Sequence, residues 1–267
     1  MAERFDFTLD PVEADVLGQA LGVPARIFPL RFGATPGDPE RLAALADAVE
    51  TALAGRRLSV RGQLNSRLLT AFSLFAGHRV LVAIAGIDGL GATIAVAALT
   101  DGAQALGITQ SAADDRLGFS LFSDEEFVDV LAGVLPAVAG ADGPVVTVER
   151  RADPGMSAMR RRRQAEAERD HEESLAFDTL ELGPSVGPGA PLSSDEPDFL
   201  AGARFGGGQI VVTGRGAAPT LGWVDTELGR YLVHAQAGPD GAVSAHYEPA
   251  GRDVVAEAIG RAVAHVY

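Results

Sequence analysis

The segment Gly183–Gly187 reads G-P-S-V-G and matches the catalytic serine pattern G-x-S-x-G. That pattern needs a strand before the serine and a helix after it, which together hold the serine on a strained turn. Here the serine lies in Gly183–Pro197, a stretch rich in proline and glycine that predicts a flexible linker. A hydrolase that uses Ser185 with His234 or His246 is therefore an alternative hypothesis, and we favour a protein that is not an enzyme.

The histidines and glycines do not form a recognisable metal or nucleotide site. None of the five histidines follows the H-x-x-x-H or H-x-x-E-H spacing of zinc sites, although His234 and His246 lie on neighbouring predicted strands. Phosphate-binding glycine loops follow a strand and open a helix. Gly206–Gly208 precedes a predicted strand and Gly86–Gly91 joins two strands, so we expect entry and hairpin loops. The chain has no cysteine, and we expect no cofactor and no metal.

The charge of the chain argues against nucleic-acid and membrane partners. Its 36 acidic and 22 basic residues give a net charge of −14, whereas phosphate surfaces attract clustered cations. The run Arg160–Arg163 is followed at once by acidic residues on a predicted helix, Met156–Ser174. That helix is either solvated and self-paired or faces a partner through Arg160 and Arg163. The first residues lack the apolar core of a secretory signal and no apolar run is long enough to cross a bilayer, so we expect a cytoplasmic protein.

The predicted elements occur in the same order twice: a strand, helices, a meander of four strands and a closing helix. In the first set, the predicted strands are Phe5–Leu9, Arg26–Phe32, Arg79–Ala85, Ala92–Leu99, Ala103–Thr109 and Leu117–Phe122. Its predicted helices are one that begins at Pro11, Pro39–Ala54, Gln63–Phe75 and one capped by Ser123–Glu126.

In the second set, the predicted strands are Val145–Val148, Gln209–Thr213, Thr220–Val224, Arg230–Ala235 and Ala242–Tyr247. Its predicted helices are Met156–Ser174, a short one around Asp198–Ala203 and one introduced by Pro249–Asp253. A meander buries one sheet face beneath helices. The repeat therefore predicts an α+β fold, with a central antiparallel sheet flanked by helices and two pseudo-two-fold related halves, 1–140 and 141–267.

Several segments, taken in order, resemble the EspG family of cytosolic chaperones associated with type VII (ESX) secretion. The most specific is Trp223–Leu232, with sequence W-V-D-T-E-L-G-R-Y-L, followed by Glu248–Ala250. The other matching segments are Phe7–Glu13, Ile27–Leu30, Leu135–Pro136 and Gly143–Val148. The resemblance covers nearly the whole chain and implies a single domain of two quasi-symmetric halves around an antiparallel sheet.

The resemblance also implies a role, which is to bind the apolar tip of a helical-hairpin substrate such as a PPE-type protein paired with a PE-type one. Such a chaperone would keep its client soluble and direct it to the secretion machinery. The turn Gly86–Gly91 is short beside the client-contacting hairpin of the mycobacterial relatives, so a smaller WXG-type hairpin is the alternative client. A structural or regulatory homodimer is a further alternative.

Placement on the predicted fold suggests the residues that contact a client. They are the turn residues Ile87, Asp88, Gly89 and Leu90, the strand residues Trp223 and Asp225, and Arg160 and Arg163 of the charged helix. Trp223 is the only tryptophan and is either a core residue or an exposed anchor of the kind that dominates interfaces.

Overall fold

The structure, a computed structural model, describes residues 4–33, 35–150, 204–237 and 243–267. The strands of the described chain are β1 (Phe5–Leu9), β2 (Ser59–Val60), β3 (Gln63–Leu64), β4 (Val80–Ile87), β5 (Thr93–Thr100), β6 (Gln104–Gln110), β7 (Leu117–Ser123), β8 (Val146–Arg150), β9 (Arg204–Thr213), β10 (Leu221–Thr226), β11 (Gly229–Ala237) and β12 (Val243–Pro249). The α-helices are α1 (Pro11–Leu21), α2 (Pro39–Gly55), α3 (Ser66–Gly77), α4 (Phe127–Val134) and α5 (Arg252–Val266).

Ten of these strands form one antiparallel sheet in the order β1-β7-β6-β5-β4-β9-β10-β11-β12-β8. The order is the same from either edge: a single edge strand comes first, and a four-strand meander follows in reverse chain order. The two meanders meet at the centre, where β4 pairs with β9. The predicted α+β fold with a central antiparallel sheet and two related halves is confirmed.

Helices cover both faces of the sheet, because the central strands are apolar on both sides. In β5, Ala97 and Leu99 pack with α1, α2 and α3 on one face, while Val96 and Ala98 pack with α4 and α5 on the other. The second of these cores draws on both halves, since Val82 of β4 and Ile210 of β9 lie in it together. None of the helices in the described ranges is long and apolar enough to cross a bilayer.

Two predicted elements of the first half are wrong. The helix predicted over Gln63–Phe75 begins only at Ser66, because the β2–β3 hairpin turns through Arg61 and Gly62, both with positive φ, and Asn65 then caps α3 by accepting the Arg67 N–H at 2.8 Å. The strand predicted over Arg26–Phe32 is an irregular segment.

A buried carboxylate holds that irregular segment against α1. Arg26 donates to Asp15 through Nε at 2.8 Å and through a terminal nitrogen at 2.9 Å. The hydrogen bond from Arg26 outweighs the effect of burial and holds the pKa of Asp15 below its usual value. The segment is thereby fixed by side-chain bonds and needs no strand partner.

The glycine run Gly206–Gly208 was predicted to precede a strand, and this is wrong because the run lies inside β9. A Cβ atom at Gly208 would lie 2.3 Å from the Trp223 ring, and one at Gly86 of β4 would lie 2.8 Å from it. Glycine is needed at both positions because the indole and a carbonyl oxygen of the facing strand occupy the space that a side chain would fill.

Candidate partner-binding site

The turn between β4 and β5 is held in one conformation by Asp88. Its Oδ1 accepts hydrogen bonds from the backbone N–H groups of Leu90 and Ala92, both at 2.8 Å. The Gly91 N–H donates to the Asp88 carbonyl at 3.0 Å, and Gly91 has a φ of +80°, which favours glycine. Because the turn is already ordered, a partner that binds its tip does not have to offset the loss of conformational entropy that ordering would cause.

Leu90 stands at the tip of this turn with 95% of its surface exposed, more than any other large apolar side chain of the described residues. Ile87 and Asp88 are half-buried at the base of the turn, and Gly89 is exposed. The four turn residues that the sequence singled out therefore lie together. A large apolar side chain exposed on a rigid projection can bury its surface against a partner at little ordering cost.

Phe205 lies beside this turn and was not among the predicted contact residues. It is 47% exposed, and a Cβ atom at Gly89 would lie 3.7 Å from the Cβ of Phe205. The sequence carries no local signal for this proximity, because it depends on how β9 pairs with β4 and β10.

Trp223 and Asp225 do not offer contact surface to a partner, so their predicted role as contact residues is corrected. Each is 3% exposed. Trp223 packs in the core between the sheet and helices α4 and α5. Asp225 accepts two hydrogen bonds from Arg230, at 2.6 Å from Nε and 2.9 Å from a terminal nitrogen.

The backbone around Arg230 joins three parts of the chain. The Arg230 N–H donates to the Ala139 carbonyl at 2.8 Å, and its own carbonyl accepts the N–H groups of Ala141 at 3.1 Å and Ala250 at 2.9 Å. Gly229 has a φ of +116°, and a Cβ atom there would lie 2.7 Å from Ala141. The segment Trp223–Leu232, which spans the β10–β11 hairpin, thus binds two other parts of the chain. These are the connection between the halves and the end of β12.

Comparison with known proteins is consistent with this architecture. The sequence model of the EspG family matches residues 10–261. The chain belongs to the EspG family. No curated protein matches it. The predicted resemblance is thus confirmed, and the segment Trp223–Leu232 that carried it most specifically has a structural role in this EspG protein.

A solved relative shares the fold. The Mycobacterium tuberculosis type VII secretion system chaperone EspG5, solved in complex with a PE25–PPE41 dimer, superimposes with a TM-score of 0.62 at 12% sequence identity. The match covers 98% of this chain and 96% of the EspG5 chain. At this identity the comparison shows the common fold.

The two strand histidines of this EspG protein are cross-strand partners, as expected from the sequence. His234 Nε2 lies 3.9 Å from a Glu248 carboxylate oxygen, and His246 Nδ1 lies 2.8 Å from the Thr147 hydroxyl. Burial lowers the pKa of His234. The described part of the chain has no group of three or more histidines and carboxylates that could hold a metal.

The remaining predicted features lie outside the described residues. They are the candidate nucleophile Ser185, the helix Met156–Ser174 with Arg160 and Arg163, the linker Gly183–Pro197 and the short helix around Asp198–Ala203. The candidate partner-binding site therefore consists of the β4–β5 turn and the surface that adjoins it.

Proposed function

We propose that this EspG-family protein is a cytoplasmic chaperone of type VII secretion that binds a PE–PPE pair through the apolar tip of the helical hairpin. The observation that carries the proposal is the β4–β5 turn, on which Asp88 fixes the backbone and Leu90 is 95% exposed. The solved complex of EspG5 with PE25–PPE41 supports the class of client.

The function needs a rigid surface and no chemical step. An apolar hairpin tip exposed to water is an aggregation hazard, and a chaperone that covers it removes that hazard. Helix tips and apolar helix faces are bound by apolar surfaces whose shape is fixed before binding. The net charge of −14 on this chain favours its solubility through repulsion between copies.

Co-expression with the PE–PPE pairs of the encoding organism tests the proposal. We expect a complex of defined stoichiometry by size-exclusion chromatography with light scattering, and a larger soluble fraction of the client. Leu90→Ser should weaken the complex about tenfold, because it removes the most exposed apolar anchor.

The matched control is Val60→Ser. Val60 is 64% exposed on the β2–β3 hairpin, which does not join the large sheet, so this change should leave binding unaltered. The proposal is contradicted if no PE–PPE pair binds, or if Leu90→Ser and Val60→Ser behave alike. If a WXG-type hairpin binds and no PE–PPE pair does, the proposed client is wrong. If the protein forms a homodimer and binds neither, the chaperone function is wrong.

A further inference from the structure

Four of the eight exposed large apolar side chains in the described ranges lie along one end of the large sheet. They are Leu90 (95% exposed), Val145 (59%), Leu228 (52%) and Phe205 (47%). We refer to these four residues as the apolar rim. They lie in the β4–β5 turn, immediately before β8, in the β10–β11 turn and at the start of β9, all at the end of the sheet where β4 finishes.

A β-bulge presents Phe205 on this rim. In the pairing of β9 with β10, Asp225 lies opposite Gly206 and Thr226 lies opposite Arg204, so Phe205 has no partner on β10. Bulges of this kind redirect a side chain and occur near functional sites. Gly206 lets β9 approach the turn, since a Cβ atom there would lie 2.8 Å from the Ile87 carbonyl oxygen.

Close contacts, hydrogen bonds and a short chain segment connect the rim from one member to the next. Phe205 adjoins Gly89 of the turn, and its neighbour Arg204 pairs with Thr226. The Thr226 hydroxyl accepts the Leu228 N–H at 3.2 Å, and the Asp142 N–H donates to the Leu228 carbonyl at 3.3 Å. Val145 follows three residues after Asp142. The rim is therefore built on paired strands and short turns whose backbone is fixed.

The rim is bordered by negative charge. Three carboxylates lie there, since Glu227 and Asp142 are exposed beside Leu228 and Asp88 lies at the base of the turn, against the half-buried cation Arg204 that precedes Phe205. A partner that covers the apolar side chains would bring its own flanking residues against these carboxylates. Basic residues beside an apolar tip would complement them, and such complementarity mainly accelerates association and selects the partner.

The turn alone is too small to be the whole interface. A specific interface buries about 800 Å² on each partner, and one aromatic side chain supplies about 150–250 Å² of burial. A single leucine on a turn supplies less, so a stable complex needs further anchors. Phe205 is the nearest exposed aromatic side chain to the turn in the described chain.

We propose that the client lies along the apolar rim, with Phe205 as the second anchor beside Leu90, and that the client's apolar tip is flanked by basic residues. This rests on the proposed chaperone function and specifies the footprint and charge of its client.

Isothermal titration of the purified chaperone with a PE–PPE pair of the encoding organism tests this footprint. We expect Phe205→Ala to raise the Kd at least tenfold and Leu228→Ala about threefold. In stopped-flow mixing experiments, Glu227→Arg should slow association at low salt and reduce the dependence of the association rate on salt. Thermal melting should change little for these variants, because the three side chains are exposed.

The matched control for Phe205 is Tyr267→Ala. Tyr267 is an aromatic residue with 43% exposure at the opposite end of the sheet, where it lies against Gly102 of the β5–β6 turn. This change should leave the Kd within twofold. If Leu90→Ser weakens binding but Phe205→Ala matches Tyr267→Ala, the footprint is wrong and the chaperone function stands. If the unaltered protein binds no pair, the function itself fails.

A photo-crosslinking experiment keeps the proposal testable should Phe205→Ala fail to fold. With p-benzoylphenylalanine introduced at position 205, 228 or 267, positions 205 and 228 should crosslink to the PPE-type subunit and position 267 should not. Crosslinking from 267 alone, or equal crosslinking from all three, would overturn the proposed footprint.

Discussion

The ion pair between Asp225 and Arg230 is almost completely buried, with side-chain exposures of 4% and 3%. Two charges removed from water are tolerated only when each satisfies the other, and the paired hydrogen bonds of the guanidinium and the carboxylate do this. Arg230 also carries the backbone bonds to Ala139, Ala141 and Ala250. The ion pair therefore orients Arg230, whose backbone binds both the connection between the halves and the end of β12.

Removal of one member of this pair should be strongly destabilising. We expect Asp225→Ala to lower the free energy of unfolding by about 3–5 kcal/mol, because the guanidinium is left buried without its counter-charge. Chemical denaturation monitored by circular dichroism measures the change. The double variant Asp225→Leu with Arg230→Met should recover much of the loss.

The control for this prediction is the exposed pair of Glu257 and Arg261 on α5, four residues apart. Glu257→Ala should cost less than about 0.5 kcal/mol, since water and salt screen such pairs. Equal losses from Asp225→Ala and Glu257→Ala would refute the role of the buried pair.

Residues of the site differ in how far the sequence could predict them. The turn Ile87–Leu90 is predictable because Asp-Gly between two apolar strands is a local hairpin signal. The burial of Trp223 depends on glycines of two other strands, Gly86 and Gly208, and the exposure of Phe205 depends on a bulge opposite Asp225. These are consequences of strand pairing, and no local pattern in one segment encodes them.

Among the elements, the β4–β5 turn is stiffened by a single side chain, that of Asp88. Asp88→Ala removes the acceptor of the Leu90 and Ala92 N–H groups, so we expect faster amide hydrogen exchange at both residues. The looser turn should also bind a client about tenfold more weakly, because its backbone must be ordered on binding. Asp88→Asn keeps an oxygen acceptor and serves as the matched control.

Unchanged exchange at Leu90 and Ala92 in the Asp88→Ala variant would show that the strands alone hold the turn. The global melting temperature should differ little between the two variants, because the turn lies beyond the paired residues of the sheet.

The elements that the sequence predicted well are those with strong periodic patterns. All four strands of the first meander, β4 to β7, lie within about two residues of their predicted bounds, because apolar runs and turn residues alternate clearly there. The β2–β3 hairpin was missed because each of its strands has two residues, too few to show a period. The start of β9 was missed because its glycines suggest a loop and are instead required beneath Trp223.

On the scale of the whole molecule, the strand order places the join between the halves inside the core. β4 and β9 pair along seven residues, and the core beneath α4 and α5 contains side chains from both. An interface of this kind resembles the interior of one domain more than a contact between two. We therefore propose that the halves 1–140 and 141–267 form one cooperative unit, as expected from the sequence.

A fragment of residues 1–140 tests this proposal. Without β9, the buried strand β4 becomes an edge with unpaired backbone groups and an uncovered apolar face, and such edges pair with whatever strand is available. Because β4 and β9 run antiparallel at the centre of the sheet, β4 of a second fragment can take the place of β9 about a true two-fold axis. When the fragment and the full chain are compared by light scattering at the same concentration, the fragment should therefore form dimers or larger species. A monomeric fragment that unfolds in its own sharp transition would mean that each half is an independent domain.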